Sequence, residues 1–483
     1  MRTDDKMEEN RSLRQLLAQL PAYDVSEVEK AYRAALERDD AKIIVLDDDP
    51  TGVQTVHDVY VYTDWKTETL CEAFGDGGKL SFILTNSRGL TEAQTRQAHR
   101  EIAEAIFHAA RESGREVAVI SRSDSTLRGH YPLETQTLRE TLEALGAPPF
   151  DGEILLPFFE EGGRYTAENV HYVAFGDCLV PAAGTEFAHD RTFGYRNSNL
   201  CRWIEEKTDG MYPAERVQTV SLRELRATDY AGIERKLCGL TDFGKLVVNA
   251  VSEEDVKVFV TALFAALKKG KHFLYRSAAA LAKVMGGIDS RPLLSGEELV
   301  NTENRNGGLI VVGSHVNKTT AQLAALREKH DIAFIEINQH LALDETAFAA
   351  EMDRVIAEAE RNIRNGVTCA VYTRRERFDL NNGSKEDELR LAVRISDAVT
   401  SVVSRLSVRP NFIIAKGGIT SSEIGTAALR CRRARVMGQI LKGIPVWETG
   451  EESLFPHMPY VIFPGNVGSE TALCEAVEKM RPE

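Results

Sequence analysis

Apolar residues in this chain fall into short dense runs separated by longer segments of mixed character. Five runs come first, at Lys42–Leu46, Ser81–Leu84, Val117–Ile120, Glu153–Leu156 and Leu246–Val251. Five more follow, at Leu309–Val312, Ala333–Ile335, Cys369–Tyr372, Asn411–Ala415 and Tyr460–Phe463. Runs this short and this apolar predict strands buried on both faces. Between them, apolar positions recur at helical spacing in Thr91–Ser113, Glu253–Lys269, Thr319–His330, Asp344–Asn362 and Lys385–Ser407. Strand alternating with helix in this way predicts an α/β protein built on mainly parallel sheets flanked by helices.

The pattern breaks at Met285–Gly308, which is rich in Gly, Asn, Ser and charge and reads as a linker. A boundary near residue 300 gives two domains, 41–300 and 301–483, preceded by a helical segment at 1–40 that Pro21 interrupts. That segment serves either as an arm for assembling a homo-oligomer or as a packed edge. The stretch from Pro157 to Tyr212 looks irregular, and an irregular stretch of that length is usually functional. The basic run Arg430–Arg435 is expected on a helix, as a solvated face or a partner contact.

At 483 residues the chain is too long for one small domain. It has 59 Lys and Arg against 73 Asp and Glu, a net charge of −14, which argues against nucleic acid or an anionic membrane as partner. The seven cysteines are scattered without a Cys-x-x-Cys pair, so neither a disulfide scaffold nor a zinc ribbon is indicated. Histidines show no metal-ligand spacing, and no metal-binding residue is predicted. With no apolar leader and no run of 18 apolar residues, the expected location is the cytoplasm.

Three predicted strands of the first half end in polar tips. The first gives Asp47-Asp48-Asp49-Pro50-Thr51-Gly52, the second Thr85-Asn86-Ser87-Arg88, the third Ser121-Arg122-Ser123-Asp124-Ser125-Thr126-Leu127-Arg128-Gly129-His130. Ligands of open α/β sheets bind at such C-terminal strand ends. Three adjacent carboxylates repel one another unless something binds them, and suit a metal, a general base or sugar hydroxyls. Arginine forks fit a carboxylate, and Asp, Ser and Thr fit hydroxyls, so the tips together suit a hydroxylated anion.

The second half offers glycine-rich turns instead. Lys416-Gly417-Gly418-Ile419-Thr420 follows one strand, Gly313-Ser314-His315 another, and Pro464-Gly465-Asn466-Val467-Gly468 a third. Thr420 and Glu423 have capping-box spacing and predict a helix start. Amides reached through glycines before a helix are an anion site, and three such turns suggest a phosphate-rich ligand. P-loop, dinucleotide, zincin and nucleophile-elbow fingerprints are all missing, so any nucleotide site follows another design.

In these motifs the sequence resembles the four-carbon acid sugar kinase family over most of residues 42–475. The resemblance rests on a D-D-x-T-G signature at Asp48–Gly52, T-N-S-R at Thr85–Arg88 and D-S-T-L-R-G at Asp124–Gly129. Further matches are Gly163-Arg164-Tyr165-Thr166 with His171-Tyr172-Val173, Thr185-Glu186-Phe187-Ala188 with Thr192-Phe193-Gly194-Tyr195, and Phe273-Leu274-Tyr275-Arg276. It implies an N-terminal domain that binds a small sugar acid, a C-terminal domain that binds ATP, an active site in the cleft between them, and Mg2+ as required by the reaction. Carried over by position, Asp48 and Asp124 are the catalytic candidates. Asp49, Thr51, Ser87, Arg88, Ser125, Arg128, Arg164 and Arg276 are the substrate-binding ones, with Arg88 and Arg128 assigned to the substrate carboxylate. Ser314, Gly417, Gly418, Ile419, Thr420, Gly465 and Asn466 are expected to hold the nucleotide.

Two departures mark a divergent member. The family's G-G-D-T loop reads Gly417-Gly418-Ile419-Thr420, and its K-S-G-N-F-G block reads Phe463-Pro464-Gly465-Asn466-Val467-Gly468, with Phe at the lysine position. The implied activity is ATP-dependent phosphorylation of a tetronate-like, 3-oxo-tetronate-like or related C5 acid. The alternative is a regulatory protein that binds the same ligands without catalysis.

Overall fold

The structure is a computed structural model that describes residues 9–328, 331–376, 378, 380, 385–465 and 467–481. Contacts divide the chain into two units, Met1–Thr55 with Asp64–Asp289, and Val56–Thr63 with Ser290–Glu483. The short excursion Val56–Thr63 is counted with the second unit because its strand Tyr60–Tyr62 pairs with Arg433–Leu441.

In the first unit seven strands lie parallel in the order Gln218–Val220, Gly244–Val248, Gly152–Leu156, Phe273–Ser277, Val117–Arg122, Lys42–Asp47 and Leu80–Leu84. Lys42–Asp47 is buried along its whole length, as a strand paired on both sides and covered on both faces must be. Helices Thr67–Gly75, Glu92–Ser113 and Leu133–Ala144 pack together as one layer, and Val25–Leu36, Tyr230–Cys238 and Glu253–Leu267 as another. The 22-residue helix Glu92–Ser113 starts in a capping box made by Thr91 and Gln94. Because all seven strands run the same way, their polar tips gather along one edge.

The stretch that reads as irregular between Pro157 and Tyr212 holds regular structure. Arg164–Ala167, Val170–Phe175 and Cys178–Pro181 form an antiparallel sheet, joined at its edge by Arg11–Ser12. Glu168 and Asn169 turn the first hairpin with φ of 51° and 64°, a two-residue turn with both residues left-handed. Arg-Tyr-Thr-Ala is only four residues long and Val-His-Tyr-Val-Ala-Phe lacks clean alternation, which hides the strands from a periodicity test. The segment ahead of the first strand is two helices, Leu13–Gln19 and Val25–Leu36, packed within the first unit.

In the second unit five parallel strands lie in the order Ala333–Ile337, Cys369–Thr373, Leu309–Val312, Ile413–Lys416 and Pro459–Phe463. Ile444–Thr449, Arg433–Leu441 and Tyr60–Tyr62 continue the sheet antiparallel. The basic run expected on a helix therefore enters a strand. Arg433–Leu441 alternates buried and half-buried residues, the two-residue period of a strand with one covered face. Thr420 does not cap a helix either. The helix Gly418–Glu423 has Gly417 as its N-cap residue, and Thr420 lies inside it, buried. Part of the expected linker is also packed, with Leu294 and Leu299 buried in the core of this unit.

No helix among the described residues is long and apolar enough to cross a membrane.

Candidate functional site

Four neighbouring parallel strands supply the tips of the first unit. Lys42–Asp47 delivers Asp48 and Asp49, Leu80–Leu84 delivers Ser87 and Arg88, Val117–Arg122 delivers Asp124 to Arg128, and Phe273–Ser277 carries Arg276. The Thr85 amide and hydroxyl both donate to the Asp47 carbonyl, at 2.8 and 2.9 Å, locking two of these tips together.

At the centre Arg88 reaches three carboxylates. Its Nε lies 3.2 Å from Asp48 Oδ2, one Nη 2.6 Å from Asp49 Oδ2 and the other 3.7 Å from Asp124 Oδ1. The Asp124 amide donates to Asp48 Oδ2 at 3.1 Å, so the first and third tips are joined directly. Asp124 also accepts from Arg128 Nε at 2.7 Å and from the Thr126 hydroxyl. Asp49 accepts from the Thr51 amide at 2.8 Å and from its hydroxyl.

These neighbours separate the carboxylates electrically. Burial pushes Asp48 up to about 6, against the pull of Arg88 and Arg122. Burial likewise pushes Asp47 up to about 8. For Asp124, burial opposes ionisation, yet Arg88 and Arg128 outweigh it and hold the group well below the usual carboxylate range. Asp49 is also lowered, with Arg88 and Thr51 overcoming burial. The result is two carboxylates, Asp47 and Asp48, able to hold a proton near neutral pH beside two, Asp49 and Asp124, that stay ionised. Asp48 Oδ1 is buried and has no hydrogen-bond partner.

The remaining predicted residues surround this cluster. The Ser125 carbonyl accepts from His171 Nε2 at 2.8 Å, while His171 Nδ1 meets the Thr166 hydroxyl at 2.9 Å. Burial drives His171 down to about 4, so the ring is neutral and orients this turn without adding charge. Arg128 and Arg164 both lie over the Phe187 ring, 5.2 and 5.6 Å from its centroid. Arg164 Nε is buried without a partner, and burial lowers this guanidinium. Arg276 is sequestered by Glu134 at 2.7 Å, Ser121, Ser123 and the Arg128 carbonyl. Ser87 donates to the same Glu134 at 2.6 Å. Gly129 lets the turn run against this layer with φ +119°, and a Cβ there would lie 3.0 Å from Arg276 Nη2 and 3.5 Å from Asp48 Oδ2.

Glu134 escapes sequence reasoning. In the helix Leu133–Ala144 it looks like Glu140 or Glu143, and only its burial against Arg276 distinguishes it. A cavity of about 410 Å3 is lined by Arg96, Gly129, His130, Phe193 and Lys207 among others, but by none of the predicted substrate residues. The shifted carboxylates at the strand tips, rather than this volume, mark the chemistry. Away from both, Cys71, His108 and Glu112 bring ligand atoms within 4.8 Å of one another. Burial and Glu112 push the Cys71 thiol up, away from the thiolate a metal requires.

In the second unit the three glycine-rich turns meet at adjacent strand ends. The Gly417 amide donates to the Phe463 carbonyl at 2.9 Å, and the Ser314 amide to the Lys416 carbonyl at 3.4 Å. Thr319 bonds both the Ser314 hydroxyl, at 3.3 Å, and the Gly465 carbonyl, at 2.9 Å. Gly417 has φ +127° and stands so near Ser314 that a Cβ would lie 3.1 Å from its side chain. Ile419 points outward and is 72% exposed. Asn466 lies outside the described residues. A cavity of about 200 Å3 adjoins the turns, lined by Gly313, His315, Phe378, Ile395, Val399 and Thr420 among others. The described turn residues offer hydroxyls and amides but no carboxylate, which does not fit a Mg2+ ion held by the protein's own acidic ligands.

Comparison with known proteins agrees with this division. Residues 43–285 match a sugar-binding N-terminal domain, and residues 309–473 match a nucleotide-binding C-terminal domain. A D-erythronate kinase of Heliobacterium modesticaldum is 22% identical over 459 residues, covering 91% of this chain and 97% of the relative. Crystal structures of two bacterial proteins share the fold. One, from Salmonella typhimurium LT2, has a TM-score of 0.66 at 15% identity, covering 91% of this chain and all of that one. The other, from Haemophilus influenzae, belongs to a family described as a domain of unknown function, with a TM-score of 0.59 at 18% identity over 90% of this chain and 98% of that one. With both domains matched in order along its length, the chain belongs to the four-carbon acid sugar kinase family.

Proposed function

We propose that the protein transfers the terminal phosphoryl group of ATP to a hydroxyl of a small sugar acid, a tetronate or a close relative. The observation that carries this reading is the carboxylate pair of opposite character, Asp48 pushed up to about 6 beside an Asp124 held ionised. The name of the 22% identical relative, D-erythronate kinase, supports a four-carbon acid as substrate.

In this reading Asp48 accepts the proton of the attacking hydroxyl as its oxygen bonds to the terminal phosphorus and ADP departs. A base that titrates near the working pH does this best, and one held far below it does so poorly. Asp124 and Asp49 accept hydrogen bonds from other substrate hydroxyls, with Ser125 and Thr51 on the same edge and Ser87, buried and bonded to Glu134, supporting it from behind. The substrate carboxylate goes to Arg128 and Arg164 over Phe187. Arg88 is occupied by Asp48, Asp49 and Asp124 and serves to keep the acidic tips together. Arg276 holds the 123–129 turn from behind.

ATP takes the turns at Ser314, Gly417–Thr420 and Gly465, with Asn466 retained from the sequence, and its base takes the adjoining cavity beside Phe378 and Ile395. Any Mg2+ would arrive with the ATP and would supply charge neutralisation there, since the described turn residues offer it no carboxylate. Little covalent chemistry is asked of the protein, since phosphoryl transfer depends chiefly on positioning and charge neutralisation.

The test is an ADP-release assay over C4 and C5 sugar acids and their 3-oxo forms. Turnover with at least one C4 acid is expected; absence of turnover across the panel overturns the kinase reading. Ile419, exposed where the family carries Asp, favours a second reading, a binding protein without catalysis. Thermal shifts separate the two, because a kinase responds to both ligand classes and a single-ligand sensor to one.

A further inference from the structure

Two cations of the second unit have no carboxylate partner among the described residues. Lys416 ends the strand Ile413–Lys416 and is fully buried. Its Nζ donates to the carbonyls of Pro464 and Gly465, the latter at 3.2 Å, and lies 4.0 Å from the centroid of the Phe463 ring. Arg375 follows the strand Cys369–Thr373. It donates to the Ser314 carbonyl at 2.6 Å and to the Thr320 hydroxyl at 3.0 Å, and its Nη1 is buried with no partner. Lys416 thus holds the Gly465 turn and Arg375 the Ser314 turn, and Thr319 ties the two turns together.

A buried cation without a counter-charge is costly, and it persists where an anion arrives to complete it. Burial, with Lys318 adding repulsion, pushes Lys416 down to about 7, and burial alone lowers Arg375. Carbonyl oxygens are the sole hydrogen-bond acceptors of Lys416 among the described residues, so its charge is screened only by dipoles.

The register adds a second observation. Lys416 is paired across the sheet with Phe463, the residue standing where the related block carries lysine. A cation at 416 reaches over the Phe463 ring to the turn that a lysine at 463 would have served. The charge has shifted by one strand within the same pair.

We propose that Lys416 and Arg375 are the phosphate-recognising cations of this chain, replacing the side-chain charges that the glycine-rich turns lack. The inference rests on the nucleotide reading of the second unit and names which residues of that site carry its charge. It also explains how turns without a carboxylate for Mg2+ meet a polyphosphate, because fixed protein cations take over part of the neutralisation.

Equilibrium binding of ATP, ADP and adenosine to the full chain and to Lys416→Gln and Arg375→Gln tests it. Glutamine at 416 still donates a hydrogen bond to the turn but carries no charge. Each variant is expected to lose about tenfold or more in ATP affinity, less for ADP, with adenosine nearly unchanged. Lys416→Arg is expected to retain most ATP affinity. If adenosine weakens as much as ATP, the two residues merely shape the turn and the proposal fails. If both variants bind ATP as tightly as the wild type, it fails while the nucleotide reading stands. A wild-type chain that binds neither ATP nor ADP overturns both. Should Lys416→Gln fail to fold by circular dichroism, the ATP-to-adenosine ratio of Arg375→Gln decides the matter.

Discussion

Asp48 faces Arg88 through one oxygen: Oδ2 lies 3.2 Å from the guanidinium Nε, while Oδ1 is buried without a hydrogen bond, 3.9 Å from Arg122 Nη1. Guanidinium groups on both sides fix the carboxylate in place, and its unfilled hydrogen-bonding capacity suits it to take a proton. Asp48→Asn is expected to cut turnover by about 100-fold or more while ATP affinity is unchanged. A fall of less than tenfold in the ADP-release assay removes Asp48 from the role of base.

The same residue sets the pH dependence. Asp48 must be ionised to accept a proton, and its pKa is pushed up to about 6. kcat/KM should therefore rise with pH up to about 6 and level off above it. A profile already flat from pH 4.5 upward, below that value of about 6, assigns the base elsewhere.

Asp124 is expected to act through charge and position. Asp124→Asn should abolish sugar-acid phosphorylation, by about 100-fold or more, and leave ATP binding intact, because the change frees Arg88 and Arg128 from the ion they share. Turnover near the wild-type level contradicts the assignment.

Arg164 offers a separation of stability from function. Its side chain is half-buried, with Nε enclosed and unpaired and no carboxylate bonded to it among the described residues, so Arg164→Met should leave the thermal midpoint unchanged or raise it. The Michaelis constant for the sugar acid should nevertheless rise about tenfold or more if Arg164 binds the substrate carboxylate. A lowered midpoint with an unaltered Michaelis constant reverses both parts.

Asp47 predicts a stability effect with a defined sign. Its pKa in the fold is raised to about 8, so the folded chain holds a proton that the unfolded chain releases near pH 4. Stability from this group is present below pH 4 and lost as pH rises toward about 8. Relative to Asp47→Asn, the wild type should lose thermal stability across that window, by at most about 1.4 kcal/mol per pH unit. An equal pH dependence of the two proteins refutes the shift.

Short buried runs such as Ile43–Leu46 and Leu309–Val312 had to become parallel strands, since burial of two apolar faces leaves them few alternatives, and local composition records this. The polar tips Asp48, Arg88, Asp124 and Arg128 and the glycine turns at 313, 417 and 465 were legible for the same reason, because they follow those runs directly. The four-residue strand Arg164–Ala167 is too short, and Val170–Phe175 too irregular, to show a period, and the basic strand from Arg433 reads as helix because charge obscures a two-residue repeat.

What the sequence alone determined was the two-part α/β plan and the edge at which its chemistry collects, since both depend on neighbours in the chain. Tertiary structure decided that Asp47 and Asp48 are raised and Asp49 lowered, that Glu134 is buried against Arg276, and that Lys416 and Arg375 stand at the glycine-rich turns without a carboxylate among the described residues. Each of these depends on desolvation and on charges brought from distant segments, and long-range electrostatics of that kind is created only when the strands align.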